Sequence, residues 1–199
     1  MPSRRVELSP WKQFKARWKD GCGAPICPGA TRRCLARGDV PCDVLFIGEA
    51  PGESENVCGV PFIGPAGKLL DVIVSRAFQS APGLKWAFTN VVACIPREAD
   101  GAKAGEPEDE SVLACKPRLE EFIAMCSPRL VVAVGSVAEG WLDQGYKHSI
   151  QLPSPRPAQI AISHPAYILR SNVAMRGLAV QRAVVTISNA LEDLCPSDR

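Results

Sequence analysis

Val44-Leu45-Phe46-Ile47-Gly48-Glu49-Ala50-Pro51-Gly52, followed after a short connection by Gly59-Val60-Pro61-Phe62-Ile63-Gly64-Pro65-Ala66-Gly67, is the stretch that decides how this chain folds. Val44 to Ile47 is an unbroken apolar run, the signature of a strand buried on both faces. Gly48, Pro51 and Gly52 end that strand at its C-terminal end, where open α/β sheets place their ligand crevice. Glu49 sets a carboxylate at the lip. Beyond Gly64 and Gly67, residues Leu69, Leu70, Ile73, Val74 and Phe78 recur at helical spacing, so the loop delivers the chain onto a helix N-terminus. Taken alone, the same pattern also suits a plain βα turn.

Outward from this unit, strands and helices alternate. Residues 86–93 (Trp-Ala-Phe-Thr-Asn-Val-Val-Ala) predict a second strand ending at Cys94. Asn90 lies inside that apolar run and requires a hydrogen-bond partner, because an unpaired buried amide is costly. The polar loop 95–109 is expected to be exposed and mobile. A helix carries Val112, Cys115, Leu119, Phe122 and Ile123 on one face, with Cys115 expected in its first turn, and stops before Ser127-Pro128. Residues 130–134 predict a third strand. Gly135-Ser136 supplies a turn and an N-cap for a helix through Trp141. The proline-rich connection 153–157 leads to a fourth strand, 159–163, which runs into His164-Pro165-Ala166-Tyr167-Ile168-Leu169-Arg170. Leu178, Val180, Val184, Val185, Ile187 and Leu191 suggest a closing helix. At the other end, Trp11, Phe14 and Trp18 form an aromatic stripe among Lys12, Lys15, Arg17 and Lys19, expected to pack on the domain rather than touch DNA. The expectation is a single α/β domain over residues 1–199, with a central four-stranded parallel sheet flanked by helices. Glu49, the loop after Asn90, and His164 then converge on one edge of the sheet.

Composition agrees with such a domain. The 199 residues are 46% hydrophobic and 22% charged, with a net charge of +2. That charge is too small to announce a nucleic-acid partner, although it allows a basic groove. No apolar run approaches the ~18 residues of a membrane span, and Met-Pro-Ser-Arg-Arg lacks an apolar core of a leader, so a cytoplasmic protein without membrane contact is expected. The nine cysteines are an odd count, which argues for metal ligands and buried thiols over a disulfide framework. The Gly-, Pro- and Arg-rich segment at about 21–41 cannot build its own core, and Cys22 and Cys27 stand close enough in sequence to reach one metal centre.

Three motifs therefore stand in order: Gly48-Glu49-Ala50-Pro51-Gly52, Thr89-Asn90-Val91-Val92-Ala93-Cys94 and His164-Pro165-Ala166-Tyr167-Ile168-Leu169-Arg170. With Gly59 to Leu70 behind the first, the ordered set resembles the iron-sulfur uracil-DNA glycosylases, family 4 of that superfamily, from about Cys22 to about Arg170. The resemblance implies a monofunctional, monomeric glycosylase that flips uracil out of single-stranded or duplex DNA and hydrolyses its N-glycosidic bond, leaving an abasic site. It implies a structural [4Fe-4S] cluster on Cys22, Cys27, Cys94 and Cys115; by residue type alone four thiolates suit zinc equally. Cys34 is the substitute ligand to consider, because the first cysteine pair is spaced by four residues where the family commonly has two. Cys42, Cys58, Cys126 and Cys195 are read as buried or incidental thiols.

By the same resemblance His164 donates to the base oxygen as negative charge develops, Asn90 bonds the polar edge of the flipped base, and Phe62 stacks on it. Gly48, Ala50 and Pro51 wall the base pocket. Glu49 either orients water or shapes the pocket against a 5-methyl group; Ala50 stands where the superfamily's best-known branch has a water-positioning aspartate. Gly64, Gly67, Lys68, Tyr167 and Arg170 are the implied DNA contacts. The loop after Cys94 departs from the family, being longer and acidic. That departure motivates a second reading, a defence glycosylase that excises a bulky modified cytosine or other altered pyrimidine from viral DNA; a third, a non-catalytic DNA-binding iron-sulfur protein, is disfavoured because Glu49, Asn90 and His164 are all present.

Overall fold

A computed structural model describes residues 9–22, 31–97, 105–145 and 149–195. Helix α1 (Pro10–Trp18) precedes a two-residue strand β1 (Arg37–Gly38), and then comes β2 (Val44–Gly48). Helices α2 (Glu53–Cys58) and α3 (Pro65–Ala77), strand β3 (Trp86–Asn90) and helix α4 (Asp109–Cys126) follow. Strand β4 (Leu130–Val134), helix α5 (Ser136–Leu142), strand β5 (Ala158–Ile162), α6 (Pro165–Arg170) and α7 (Val173–Glu192) complete the order.

The sheet runs β1-β3-β2-β4-β5. The β2, β3, β4 and β5 pairings are all parallel, while β1 joins β3 antiparallel, placing Arg37 opposite Phe88. The sheet thus has five strands rather than the four expected. An Arg-Gly pair carries no apolar period, so β1 leaves no trace in the hydrophobic pattern. Every residue of β2 and β4 is buried because layers cover both faces. Leu45, Ile47, Ala87, Val131 and Ala133 face α1, α4 and α5, whereas Val44, Phe46, Phe88, Leu130 and Val132 face α3 and α7. Helix α7 rests on α3, α6 and β5 together.

Several boundaries move. Strand β3 stops at Asn90 rather than residue 93, because Val91 N makes the last ladder bond, to Gly48 O at 2.8 Å, and Val92 N then turns to Glu49 O at 3.1 Å out of the alternation. A buried turn and a buried strand have the same apolar sequence, so the pattern cannot separate them. Helix α3 begins at Pro65, suited to a first helical position, and α4 begins at Asp109 with acidic residues in its first turn, which puts Cys115 in the second turn rather than the first. The aromatic stripe of α1 packs as expected: Phe14 stacks on Trp11 at 5.6 Å and meets Phe122 at 5.4 Å between centroids.

Candidate functional site

A cleft of about 670 Å³ opens at the C-terminal edge of the sheet, and Glu49, Pro51, Phe62, Asn90, His164 and Arg170 all line it. Ala50, Gly64 and Gly67 line it too. The three motifs, far apart in sequence, are brought to one place because parallel strands put all their outgoing loops on one side.

Phe62 is held in an unusual conformation. Its φ is 57°, left-handed for an aromatic residue, a state maintained only when the surroundings over-determine it. Arg37 of β1 supplies that constraint: Nε donates to Pro61 O at 2.9 Å, Nη2 to Phe62 O at 3.1 Å and to Asp71 Oδ1 at 2.6 Å. Gly48 and Gly67 leave the necessary room. A Cβ at Gly48 would lie 2.4 Å from Phe62 Cζ and 2.6 Å from Asn90 Oδ1, and one at Gly67 would lie 2.0 Å from Phe62 O.

Glu55, absent from the sequence reading, organises the loop between these residues. Its carboxylate accepts from Gly52 N at 3.2 Å, Ile63 N at 3.0 Å and Gly64 N at 2.9 Å, joining both halves of the motif. The signal was present: a glutamate three residues after the N-cap Gly52 is capping-box spacing.

Asn90 closes β3 opposite Gly48 and is 2% exposed. Its Oδ1 has no hydrogen-bond partner among the described residues. The partner required by the burial argument is therefore not supplied by those residues, and the unpaired acceptor belongs to a side chain that lines the cleft.

His164 caps α6, its Nδ1 accepting from Ala166 N at 3.1 Å. An acceptor at Nδ1 puts the proton of the neutral ring on Nε2. Burial, and then the Arg170 charge, push its pKa below the ordinary histidine value, favouring that neutral ring. Gly135 does more than turn the chain: at φ 95° it passes His164 so closely that a Cβ would come within 3.0 Å of the histidine Cβ. Glu49 is half-buried, and burial, then Glu106 across the cleft, raise its carboxyl pKa. Glu106 and Gly105, from the far end of the altered loop, line the same cleft. The near end of that loop is not exposed: Ile95 is fully buried and Arg97 is half-buried and paired with Glu53. Residues 98–104 fall outside the described residues.

Of the expected DNA contacts, Lys68 is exposed on the first turn of α3, Tyr167 is 64% exposed, and Arg170 is exposed at the end of α6. Lys68 does not line the cleft; Arg170 does.

The sulfur residues form a second locality. Burial raises the Cys115 thiol, and Cys22 and Cys94 both act on it. Cys27 lies outside the described residues. No three His, Cys, Asp or Glu side chains among the described residues stand in an arrangement that would hold a metal ion. Cys34 is fully buried: its thiol donates to Glu55 O at 3.1 Å and is pushed up to about 12 by burial, with Glu55, Cys94 and Cys58 adding to it. Cys42 and Cys126 are buried, and Cys58 and Cys195 are exposed. Arg118, also missed from sequence, is buried among Cys115, Cys94 and Cys22.

A profile of the Uracil DNA glycosylase superfamily matches residues 36–187. The chain belongs to this superfamily. A type-4 uracil-DNA glycosylase of Saccharolobus solfataricus is 35% identical over 108 residues, covering 53% of this chain and 46% of that protein. A type-4 uracil-DNA glycosylase of Thermotoga maritima is 29% identical over 162 residues, covering 78% of this chain and 81% of that protein. The chain thus spans about half the length of the Saccharolobus relative and most of the Thermotoga one. The crystal structure of Pedobacter heparinus SMUG2 is similar in fold, with a TM-score of 0.50 at 13% identity over 96% of this chain and 87% of that one. The family 4 likeness carried by the motifs and the superfamily's α/β fold are both borne out.

Proposed function

We propose that this chain is a monofunctional DNA glycosylase that excises uracil from DNA by hydrolysis and leaves an abasic site. The observation that carries the reading is the pairing, in one cleft, of a neutral His164 whose free ring proton is on Nε2 with a buried Asn90 whose Oδ1 is unpaired. Breaking the N-glycosidic bond leaves negative charge on the base and positive charge on the sugar, and a donor aimed at the base oxygen stabilises the first. The Asn90 acceptor matches the ring N–H of a flipped uracil, which gives the buried amide its partner. Phe62 offers a fixed ring for the base to stack on. The Glu49 carboxylate orients the attacking water and favours the cationic sugar. No lysine lines the cleft among the described residues, which suits attack by water rather than a Schiff base.

DNA is held by the backbone N–H of Gly67, by Lys68 and Arg170, and by Tyr167 entering beside the displaced nucleotide, whereas the Gly64 N–H is already taken by Glu55 Oε1 and serves the loop instead. The domain works as a monomer in the cytoplasm; no helix among the described residues is long and apolar enough to cross a membrane. Cys22, Cys94 and Cys115, with Cys27, would hold a [4Fe-4S] cluster. An all-sulfur donor set fits it, as does the buried Arg118 beside these thiols, whose Nε lacks a partner among the described residues. Bound there, the cluster would supply a structural cross-link.

The entry of Gly105 and Glu106 into the cleft supports a second reading, in which the base removed is a pyrimidine with a bulky, donor-bearing 5-substituent. Incubating the protein with matched oligonucleotides bearing uracil or modified cytosine, followed by alkali and gel analysis, separates the two. Strand breaks at uracil are expected. Breaks only at modified cytosine would favour the second reading, and binding with no breaks on any substrate would leave a DNA-binding protein.

A further inference from the structure

Arg118 lies one helical turn beyond Cys115 on α4 and is 1% exposed. A guanidinium so buried is ordinarily matched by a carboxylate. Among the described residues no carboxylate forms an ion pair with it. Its Nη1 donates to Thr89 Oγ1 at 2.8 Å, and its Nη2 to Asn90 O at 2.7 Å and Val91 O at 2.8 Å, all neutral acceptors. The ionisable groups acting on the cation are the thiols of Cys115, Cys94 and Cys22, and its Nε has no hydrogen-bond partner among the described residues. The fork therefore points two ways: toward the end of β3, where the Asn90 side chain departs into the cleft, and toward the sulfur site.

We propose that Arg118 is a positioning residue that couples these two places. Its charge would balance the thiolates of Cys22, Cys94 and Cys115 when they hold a metal group, while its Nη2 locks the Asn90 and Val91 carbonyls and its Nη1 the Thr89 hydroxyl so that the Asn90 amide faces the base. The proposal rests on the glycosylase and iron-sulfur readings above. Lysine at this position keeps the charge and loses the fork; methionine keeps the bulk and loses both.

The test uses the metal-loaded parent with Arg118→Lys, Arg118→Met, Asn90→Ala and the Arg118→Lys/Asn90→Ala double variant, measuring the midpoint potential of the bound group and single-turnover uracil release. Arg118→Lys is expected to hold the parent midpoint while release slows roughly tenfold, the size of a lost positioning bond. Arg118→Met lowers the midpoint, because removing a buried cation disfavours the added electron. In the double variant the lysine substitution costs little beyond Asn90→Ala, since both act through one amide. Additive losses in that cycle overturn the positioning role, and an unmoved midpoint in Arg118→Met, or a parent without a metal group, overturns the charge role. Should Arg118→Met not fold, a midpoint in Arg118→Lys far from the parent's overturns the charge role and the cycle still decides the other. A parent that releases no uracil but shows the midpoint shift refutes the proposed activity and leaves the charge role standing.

Discussion

Two side chains in the cleft have opposite titration behaviour, and each gives a separate expectation. His164 has its pKa lowered by burial and then by Arg170, so its neutral, Nε2-protonated ring persists below the usual histidine range. Protonation would also remove the lone pair that accepts from Ala166 N. His164→Ala deletes a donor aimed at charge present mainly in the transition state; single-turnover release should slow by roughly 10²- to 10³-fold with DNA affinity nearly unchanged. Parent-rate release would remove His164 from the reaction. Glu49 is raised by burial and then by Glu106, so its carboxylate form is lost as pH falls through a value above the ordinary carboxylate range. The acid limb of the rate profile should therefore belong to Glu49 and vanish, together with most activity, in Glu49→Gln. Because the folded state binds this proton more tightly than the unfolded state, the ionised carboxylate costs stability as pH rises through its folded pKa. Glu49→Gln should accordingly raise the melting temperature at neutral pH, and an unchanged melting temperature would contradict that sign.

At the scale of elements, the loop between β2 and α3 depends on one carboxylate with three backbone donors. Glu55→Gln replaces an acceptor with an NH₂ that meets a backbone N–H, and a destabilisation of about 3 kcal/mol by urea unfolding is expected for a buried, charge-assisted cluster. Loss of well under 1 kcal/mol would mean that the loop holds its shape without the clamp. This clamp shows where sequence stops being sufficient. Strands β2 and β4 were legible because parallel central strands are apolar throughout, and Glu49, Asn90 and His164 because each ends a strand on the same side. Glu55 was hidden in a polar run whose spacing matters only once Gly52 is known to be a cap. Arg118 was hidden further: Lys116-Pro117-Arg118 looks like a solvated surface, and only packing of α4 on β3 shows the guanidinium to be buried. Strand β1 was invisible because its function is carried by Arg37 reaching Phe62, which no period encodes.

For the molecule as a whole, the sulfur locality joins the end of α1, the turn after β3 and the second turn of α4, three segments distant in sequence. If these thiols hold the proposed cluster, stripping it with a chelator should expose sites N-terminal to Arg37 to limited proteolysis while the sheet stays intact. Release of uracil from short single-stranded DNA should fall by far less than in His164→Ala. A loss as large as that of His164→Ala would place the metal group in the chemistry itself. Helix α7 has a different consequence. It supports both α3, whose first turn carries Gly64 and Gly67, and α6, which carries His164 and Arg170. The gape between the two sides of the cleft is thus gauged by a helix that does not itself line it, through small residues such as Ala77 and Ala183 and the Ser188 bond to Ala77 O at 3.4 Å. α7 works as a calliper, and on the glycosylase reading proposed above a change of one methyl group along it would alter the girth of strand the cleft admits without touching the motifs.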